Sequence, residues 1–361
     1  MQRRNFLKRA GASLAAGAAL VTPAIAATDP EIKWRLASSF PKSLDTIFGA
    51  AESLAKRVAA LTNNKFQIRV FAGGEIVPGL QVLDAVSQGT VECGHTASYY
   101  YAGKNKAFVF DTAMPFGLTA RQQNAWFYYG GGLPLMRDLF KQYGIVNFPG
   151  GNTGTQMGGW FRKEIKSLAD LKGLKMRIPG IGGEIMSRLG VVTQTLAGAD
   201  IYPALEKGTL DAAEWVGPYD DEKLGFHKVA KHYYYPGWWE GGPNLSFLIN
   251  AKEWEKLPAQ YREAFEVAAA EANLHMLAEY DAKNPAALAR LLKGGAKLHA
   301  FPQDMMQAAL KAANEIFNEE AAKNPAFKKI YEPWVRFRND QFQWARIAES
   351  SYANFTFNNV K

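Results

Sequence analysis

The chain is poor in the residues that build covalent or metal frameworks. Cys93 is the single cysteine in 361 residues. That excludes an intrachain disulfide framework and any cysteine-rich zinc module. Five histidines lie scattered at 95, 227, 232, 275 and 299. No pair has the H-E-x-x-H spacing, so a histidine-built metal site has little support. There is no G-x-S-x-G elbow and no P-loop, which removes two common catalytic scaffolds. No stretch reaches 18 consecutive apolar residues, the length a membrane-spanning helix needs. What is there is ordinary globular material: 48% hydrophobic and 21% charged residues. Such a composition has ample core and is not that of a disordered chain. The length suits one large or two medium domains.

The formal charge of +8 suggests a nucleic-acid partner, but its source is local. Residues 1–26 carry Arg3, Arg4, Lys8 and Arg9 and no acid, so the remainder stands at only +4. The nucleic-acid reading loses its support. The same segment reads as an export address. Arg3-Arg4-x-Phe6-Leu7-Lys8 precedes a mild apolar stretch, and Ala24-Ile25-Ala26 has the small-x-small form of a cleavage site. This predicts a twin-arginine signal peptide over 1–26 and a periplasmic product. The apolar run is roughly 12 residues, too short to cross about 30 Å of hydrocarbon.

The rest alternates strand and helix. Lys33 to Ser38 and Phe66 to Phe71 show period-2 alternation, with a helical pattern from Leu44 to Leu61 between them. Gly79 to Ser87 reads as a helix and Thr90 to Cys93 as the start of a third strand. The order recurs with a strand at Leu174 to Ile178, a helix at Gly182 to Leu189, a strand at Val192 to Leu196, a helix at Ile201 to Glu206 and a strand at Thr209 to Ala212. Strand–helix–strand units of this length predict parallel or mixed α/β sheets. Ala85 to Glu92 even resembles Ala204 to Asp211: each is a helix end, a glycine suited to the left-handed C′ position and the start of a strand. Two similar lobes are the reading this favours.

From Lys252 the chain becomes helical. One helix is expected over 258–283, with Pro285 starting the next, another over 303–322, and a last one over 326–350. The last carries Phe327, Ile330, Tyr331, Trp334, Phe337, Trp344 and Ile347 at mostly three- and four-residue steps. Pro333 should kink it or sit near its start. Its stripe packs either on its own lobe or on a partner subunit.

Catalytic signals are weak. Gly180-Ile-Gly-Gly-Glu-Ile185 follows a strand and opens a helix, as a dinucleotide fingerprint should, but Ile185 stands where the third glycine belongs. Cys93 and His95 share a strand face, and a buried small hydrophobe is the simpler reading of Cys93. Aromatic and glycine density stands out in Tyr99-Tyr100-Tyr101, in Glu214-Trp215-Val-Gly-Pro-Tyr-Asp-Asp221, and in Tyr233 through Trp239 to Gly242. Aromatics on loops after the strands of an α/β sheet wall small-ligand sites.

Asp170-Leu-Lys-Gly173-Leu-Lys-Met-Arg177 and Gly208-Thr-Leu-Asp-Ala-Ala-Glu214 resemble the solute receptors of TRAP (tripartite ATP-independent periplasmic) transporters. Gly73-Gly-Glu-Ile-Val-Pro-Gly79 fits as well, and the likeness runs over about residues 30–355. Gln156 to Trp160, Glu214 to Phe226 and Tyr233 to Gly242 resemble the branch that binds α-keto acids. The resemblance implies an α/β, two-lobed periplasmic binding protein-like (type II) fold, with hinge-linked mixed sheets and a long C-terminal helix. The expected organisation is 27–152 in lobe I, 153–242 in lobe II, 243–302 returning to lobe I, and 303–361 as C-terminal helices that dimerise. The resemblance implies that Arg177 holds a ligand carboxylate. It also implies that Gln156, Glu214 and the carbonyl of Trp215 coordinate a bridging cation, with Glu240 close by. Sodium, with calcium as the alternative, is the expected ion. Tyr100, Tyr101, Trp215 and Trp239 are the expected walls. A homodimer embracing through the terminal helix, and a gradient-driven membrane permease, are the implied partners.

The residue chemistry agrees. A guanidinium matches a carboxylate in bidentate fashion. On a strand Lys175 points to the same side as Arg177 and is the rival clamp. With a monocarboxylate present, Glu214 and Glu240 against Arg177 leave the pocket at −2, so either a glutamate protonates or a cation enters. Carboxylate, amide and carbonyl oxygens suit Na⁺, Ca²⁺ or Mg²⁺. A cation chelating carboxylate and keto oxygens together selects 2-oxo or 2-hydroxy acids; a 2-oxo monocarboxylate such as pyruvate or 2-oxobutyrate is the expected ligand, with lactate as an alternative. A dicarboxylate receptor, or an exported enzyme acting on keto acids, is the alternative.

Overall fold

Strand β1 (Ile32–Ser38) buries Trp34 and Leu36 and exposes Lys33 and Arg35, and β2 (Phe66–Phe71) buries Phe66 and Ile68 between exposed Gln67 and Arg69. That alternation gives each strand one core face and one wet face. The computed structural model describes residues 29–360, and from Ile32 onward they form one unit carrying two sheets. The expected signal peptide over 1–26 lies outside the described residues.

The first sheet has the order β2-β1-β3-β10-β4, with β3 (Cys93–Thr96), β4 (Ile145–Asn152) and β10 (Asn244–Asn250). β1 runs parallel to β2 and β3, whereas β10 runs antiparallel to β3 and β4. The second has the order β11-β9-β5-β8-β6-β7, with β5 (Gly159–Phe161), β6 (Lys175–Arg177), β7 (Val192–Gln194), β8 (Ala212–Ala213), β9 (His232–Tyr235) and β11 (Lys297–Ala300). β6 is parallel to β7 and β8, and β5 is antiparallel to β8 and β9. Both sheets are therefore mixed. β11 joins the second sheet, whereas the sequence reading gave 243–302 to the first lobe and hinge helices. Its pairing partner, β9, is far away in sequence, which local pattern does not reveal.

The short repeat is structural. Gly89 and Gly208 both take the left-handed conformation, at φ 74° and 72°. Thr90 and Thr209 each donate their N–H to the carbonyl five residues back, at 2.8 and 3.0 Å. Glu92 then accepts the Arg35 N–H of β1 at 2.7 Å, and Asp211 accepts the Lys175 N–H of β6 at 2.9 Å. One local device thus starts the pairing of corresponding strands in the two sheets.

The helices used below are α1 (Gly49–Leu61), α2 (Val82–Ser87), α3 (Gly180–Arg188), α4 (Gly198–Glu206), α5 (Pro218–Leu224), α6 (Ala259–Lys293), α7 (Gln303–Lys323), α8 (Pro325–Ala345) and α9 (Ser351–Asn359). α6 packs on β4, α1 and α5. It runs 35 residues straight through Pro285, where a break was expected. A proline inside a helix costs about 3 kcal/mol. Here Ala287 and Leu291 are buried beyond it, and the Asn284 side chain accepts the Tyr219 N–H at 3.0 Å, so packing outweighs the propensity. α8 likewise contains Pro333 in its interior.

Candidate functional site

The chain leaves the first sheet between β4 and β5 and returns between β9 and β10. These two crossings run side by side. The Gly237 N–H donates to the Gln156 carbonyl at 2.9 Å, Gln156 N–H to the Glu240 carbonyl at 3.1 Å, and Thr153 N–H to the Pro243 carbonyl at 3.2 Å. The strands approach so closely that a Cβ on Gly237 would stand 2.7 Å from the Gln156 carbonyl oxygen, which only glycine avoids. Met157 N–H donates to the Val216 carbonyl at 3.0 Å, which draws the Glu214–Val216 segment alongside. Backbone pairing alone therefore makes Gln156, Glu240 and Trp215 neighbours.

Arg177 ends β6, opposite Ala213, and its side chain is only 1% exposed while that of Glu214 is 0%. Nε donates to the Leu196 carbonyl at 3.1 Å. Nη1 donates to the Glu214 carbonyl at 3.0 Å and to Glu214 Oε1. Nη2 reaches the Tyr100 hydroxyl at 3.5 Å, a loose contact. The Trp215 ring lies 5.1 Å from the guanidinium carbon. Burial works against the Arg177 charge, and Glu214 together with Tyr100, Tyr99 and Glu240 more than offsets it. Arg177 is thus not the free fork the sequence reading gave it: Nη1 belongs to Glu214, and the Nη2 edge is the part turned toward Tyr100. Lys175 is exposed at the start of the strand, so it does not compete.

Burial pushes Glu214 up to about 7 despite Arg177. Burial, and then Glu214, push Glu240 well above the usual carboxylate range. The buried Gln156 Oε1, Glu214 Oε2 and Glu240 Oε2 have no hydrogen-bond partner, whereas Gln156 Nε2 is held by Thr153 Oγ1 at 3.0 Å. Buried oxygens left this way cost free energy. Among the described residues no three His, Cys, Asp or Glu side chains gather as a metal cluster. What is present is a mixed set of two carboxylates, one amide and nearby carbonyls. Such hard donors fit a hard cation and suit a soft one poorly.

Beside them lies a small cavity of about 10 Å³. Tyr100, Gln156 and Trp215 line it together with Tyr99, Phe40, Val216 and Leu245. Pockets for drug-sized ligands run about 300–1,000 Å³, far larger than this one.

Residues 37–324 match the family described as bacterial extracellular solute-binding protein, family 7. The chain belongs to this family. It is 56% identical to a monocarboxylate 2-oxoacid-binding periplasmic protein of Nostoc sp. PCC 7120, over 98% of this chain and 99% of the relative. A TRAP transporter solute-binding protein of Bordetella bronchiseptica RB50 is 57% identical, with a TM-score of 0.91 over 92% of this chain and 99% of that one. Its crystal is a mixed-occupancy dimer with copurified calcium and picolinate in one active site. A TRAP periplasmic solute-binding protein of Pseudoalteromonas atlantica T6c, with bound sodium and pyruvate, is 40% identical with a TM-score of 0.87 over 90% of this chain and 99% of that one. Membership among the TRAP solute receptors and the two-lobed fold follow.

In this solute receptor the predicted residues separate into three groups. Tyr100, Gln156 and Trp215 line the cavity, and Arg177, Glu214 and Glu240 stand buried behind it. Trp239 packs on Trp238 and Phe301, and its N–H approaches Glu214 without completing a hydrogen bond. Tyr101 is a correction. Its hydroxyl pairs with Thr96 Oγ1 at 3.0 Å and accepts the Leu83 N–H at 3.1 Å, so it ties β3 to α2 instead of walling the cleft. Tyr99 also belongs to the cavity, as do Phe40 and Leu245, which were not anticipated. Tyr99 was signalled by the tyrosine triplet; Phe40 and Leu245 looked like any core residue. Cys93 is buried, and its thiol is pushed up by burial. His95, pushed down to about 3 by burial, lies against Phe40 and Phe247, so the Cys93–His95 pair is core.

Proposed function

We propose that this receptor captures a 2-oxo monocarboxylate of the pyruvate or 2-oxobutyrate type together with one hard cation, sodium or calcium, and hands it to a TRAP permease. The observation that carries this reading is the set of buried, unpartnered oxygens on the paired crossings, beside an arginine already half neutralised. Gln156 Oε1, Glu214 Oε2, Glu240 Oε2 and the Trp215 carbonyl are the donors for the cation. The ion supplies charge that lets the carboxylates stay ionised and joins the ligand's carboxylate and keto oxygens in one chelate. Arg177 Nη2 and the Tyr100 hydroxyl meet the ligand carboxylate. Relatives with picolinate or pyruvate beside calcium or sodium support the same chemistry.

The receptor works in the periplasm, exported by the twin-arginine route, and binds without turnover. It is a dimer through its C-terminal helices. Thermal-shift and calorimetric titration with small organic acids, with and without Na⁺ and Ca²⁺, tests the ligand. Pyruvate and 2-oxobutyrate should raise Tm and be recovered unchanged, more strongly with cation present, and Arg177→Ala should lose the shift. A larger shift with lactate or with dicarboxylates, or conversion of the acid, would overturn the reading.

A further inference from the structure

Asp220 and Asp221 sit in the first turn of α5, both fully buried, and they do different things. Asp221 serves its own lobe. Its Oδ2 accepts the Trp160 N–H at 3.0 Å and the Tyr233 hydroxyl at 2.7 Å, both on strands of the second sheet. Asp220 reaches out of that lobe. Its Oδ2 accepts the Trp215 N–H at 3.2 Å and the Tyr280 hydroxyl at 2.8 Å, while Oδ1 has no partner. Tyr280 belongs to α6, the helix packed on β4 and α1 of the first sheet. One carboxylate therefore bolts a cleft residue to the helix spanning the other lobe.

The rest of the Trp215 environment leaves the indole a single seat. Its far edge rests on α4, where a Cβ on Gly198 would stand 2.6 Å from the ring. One face meets the Arg177 guanidinium, and the ring also contacts Phe40 at 6.3 Å between centroids. The N–H is the only polar atom of the side chain, and Asp220 takes it. The preceding residue of α5 strengthens the anchorage: the Tyr219 N–H donates to Asn284 Oδ1 at 3.0 Å on α6, and its hydroxyl donates to Asp45 Oδ2 at 2.9 Å.

We propose that Asp220 is a positioning residue for ligand capture: by gripping the Trp215 indole and the Tyr280 hydroxyl together, it fixes the wall and the backbone carbonyl that the ligand and its cation meet. This rests on the functional reading above. It assigns to Asp220 a role separate from that of Asp221, whose Oδ2 ties β5 to β9 and whose Oδ1 accepts only the Val216 backbone N–H, at 3.4 Å, with no hold on the Trp215 ring.

The test is calorimetry of the full mature receptor with pyruvate in sodium buffer and again in calcium buffer. Asp220→Ala should raise Kd by about tenfold or more, the scale of a lost buried hydrogen bond. Asp220→Asn keeps an acceptor oxygen and should stay within about threefold of wild type, and Tyr280→Phe should fall between. The decisive arm is a cycle with Trp215→Phe, which has no N–H to grip. In that background Asp220→Ala should cost less than about twofold further, because the two changes act through one bond. Equal losses in both backgrounds, or an Asp220→Ala protein that melts lower yet binds with wild-type Kd, overturn the proposal. Should Asp220→Ala not fold, the same cycle run with Tyr280→Phe decides by the same criterion. A wild type that binds no 2-oxo acid in either buffer defeats the functional reading and this proposal together; wild-type binding with an indifferent Asp220 defeats this proposal alone.

Discussion

Glu214 has two oxygens with two different occupations. Oε1 accepts from Arg177, and Oε2, buried equally deeply, accepts from nothing. The free oxygen is the one a cation would use, and an amide in its place would turn N–H donors toward that ion. Exchanging sodium for choline and chelating calcium should weaken pyruvate binding by wild type about tenfold or more, since hard cations demand oxygen donors. The same exchange should move Glu214→Gln by no more than about twofold. Equal losses by calorimetry in both proteins would take Glu214 out of the cation site. Arg177 and Glu214 were readable in the chain because each stands in a long motif at the end of a short strand. Gln156 and Glu240 were named through the same motif resemblance, but pattern alone does not pair them: by itself, each looks like a surface residue. What makes them a pair is the hydrogen bond from Gln156 N–H to the Glu240 carbonyl, between residues 84 positions apart in sequence. No periodicity encodes that.

At the scale of elements, Asp111 does for the first lobe what capping does for a helix. It lies on a single helical turn, Val109–Thr112, and is wholly buried. Its carboxylate accepts from Ser98 after β3, from Asn147 of β4 at 3.0 Å and from Ser246 of β10 at 2.6 Å. Burial pushes it up to about 6, against these three donors. An unfolded aspartate titrates near 3.9. The folded state thus holds the proton more tightly, and this contribution to stability is complete below about pH 4 and is lost as pH rises through about 6. Asp111→Asn removes the titration but keeps the shape. Between pH 4 and pH 7 wild type should lose on the order of 3 kcal/mol relative to Asp111→Asn. Urea unfolding of both proteins across that range measures it, and a gap that does not change with pH would contradict it. Elements with a clean period, such as β1 and β2, were legible, and so was the repeated glycine turn. β10 was not, because all seven of its residues are buried and it shows no alternation. The break expected at Pro285 failed for the related reason that burial beyond the proline outweighs a local preference.

For the molecule as a whole, the open question is where the aromatic stripe of the last helices goes, and the structure divides it. Phe327, Ile330 and Trp334 of α8 are buried on their own lobe, with Phe327 and Trp334 ringed around Phe110 at 4.8 and 5.8 Å. Beyond them Trp344, Ile347, Tyr352, Phe355 and Phe357 are all exposed, Phe357 at 83%. A run of large apolar groups along one helical end is more than a soluble monomer ordinarily shows to water. A second copy of the chain burying this end against its own surface removes the cost. The division also sets where to cut. Truncation after Asn324 would take away core residues and unfold the lobe, so a lost dimer there would mean nothing. A chain ending at Ala345 keeps Phe327, Ile330 and Trp334 and loses only the exposed end. Light scattering should then report a monomer whose pyruvate affinity is unchanged, because the cleft residues, Leu245 included, and their anchor Tyr280 all lie before Ala345. A dimer that survives this cut would place the interface elsewhere on the molecule.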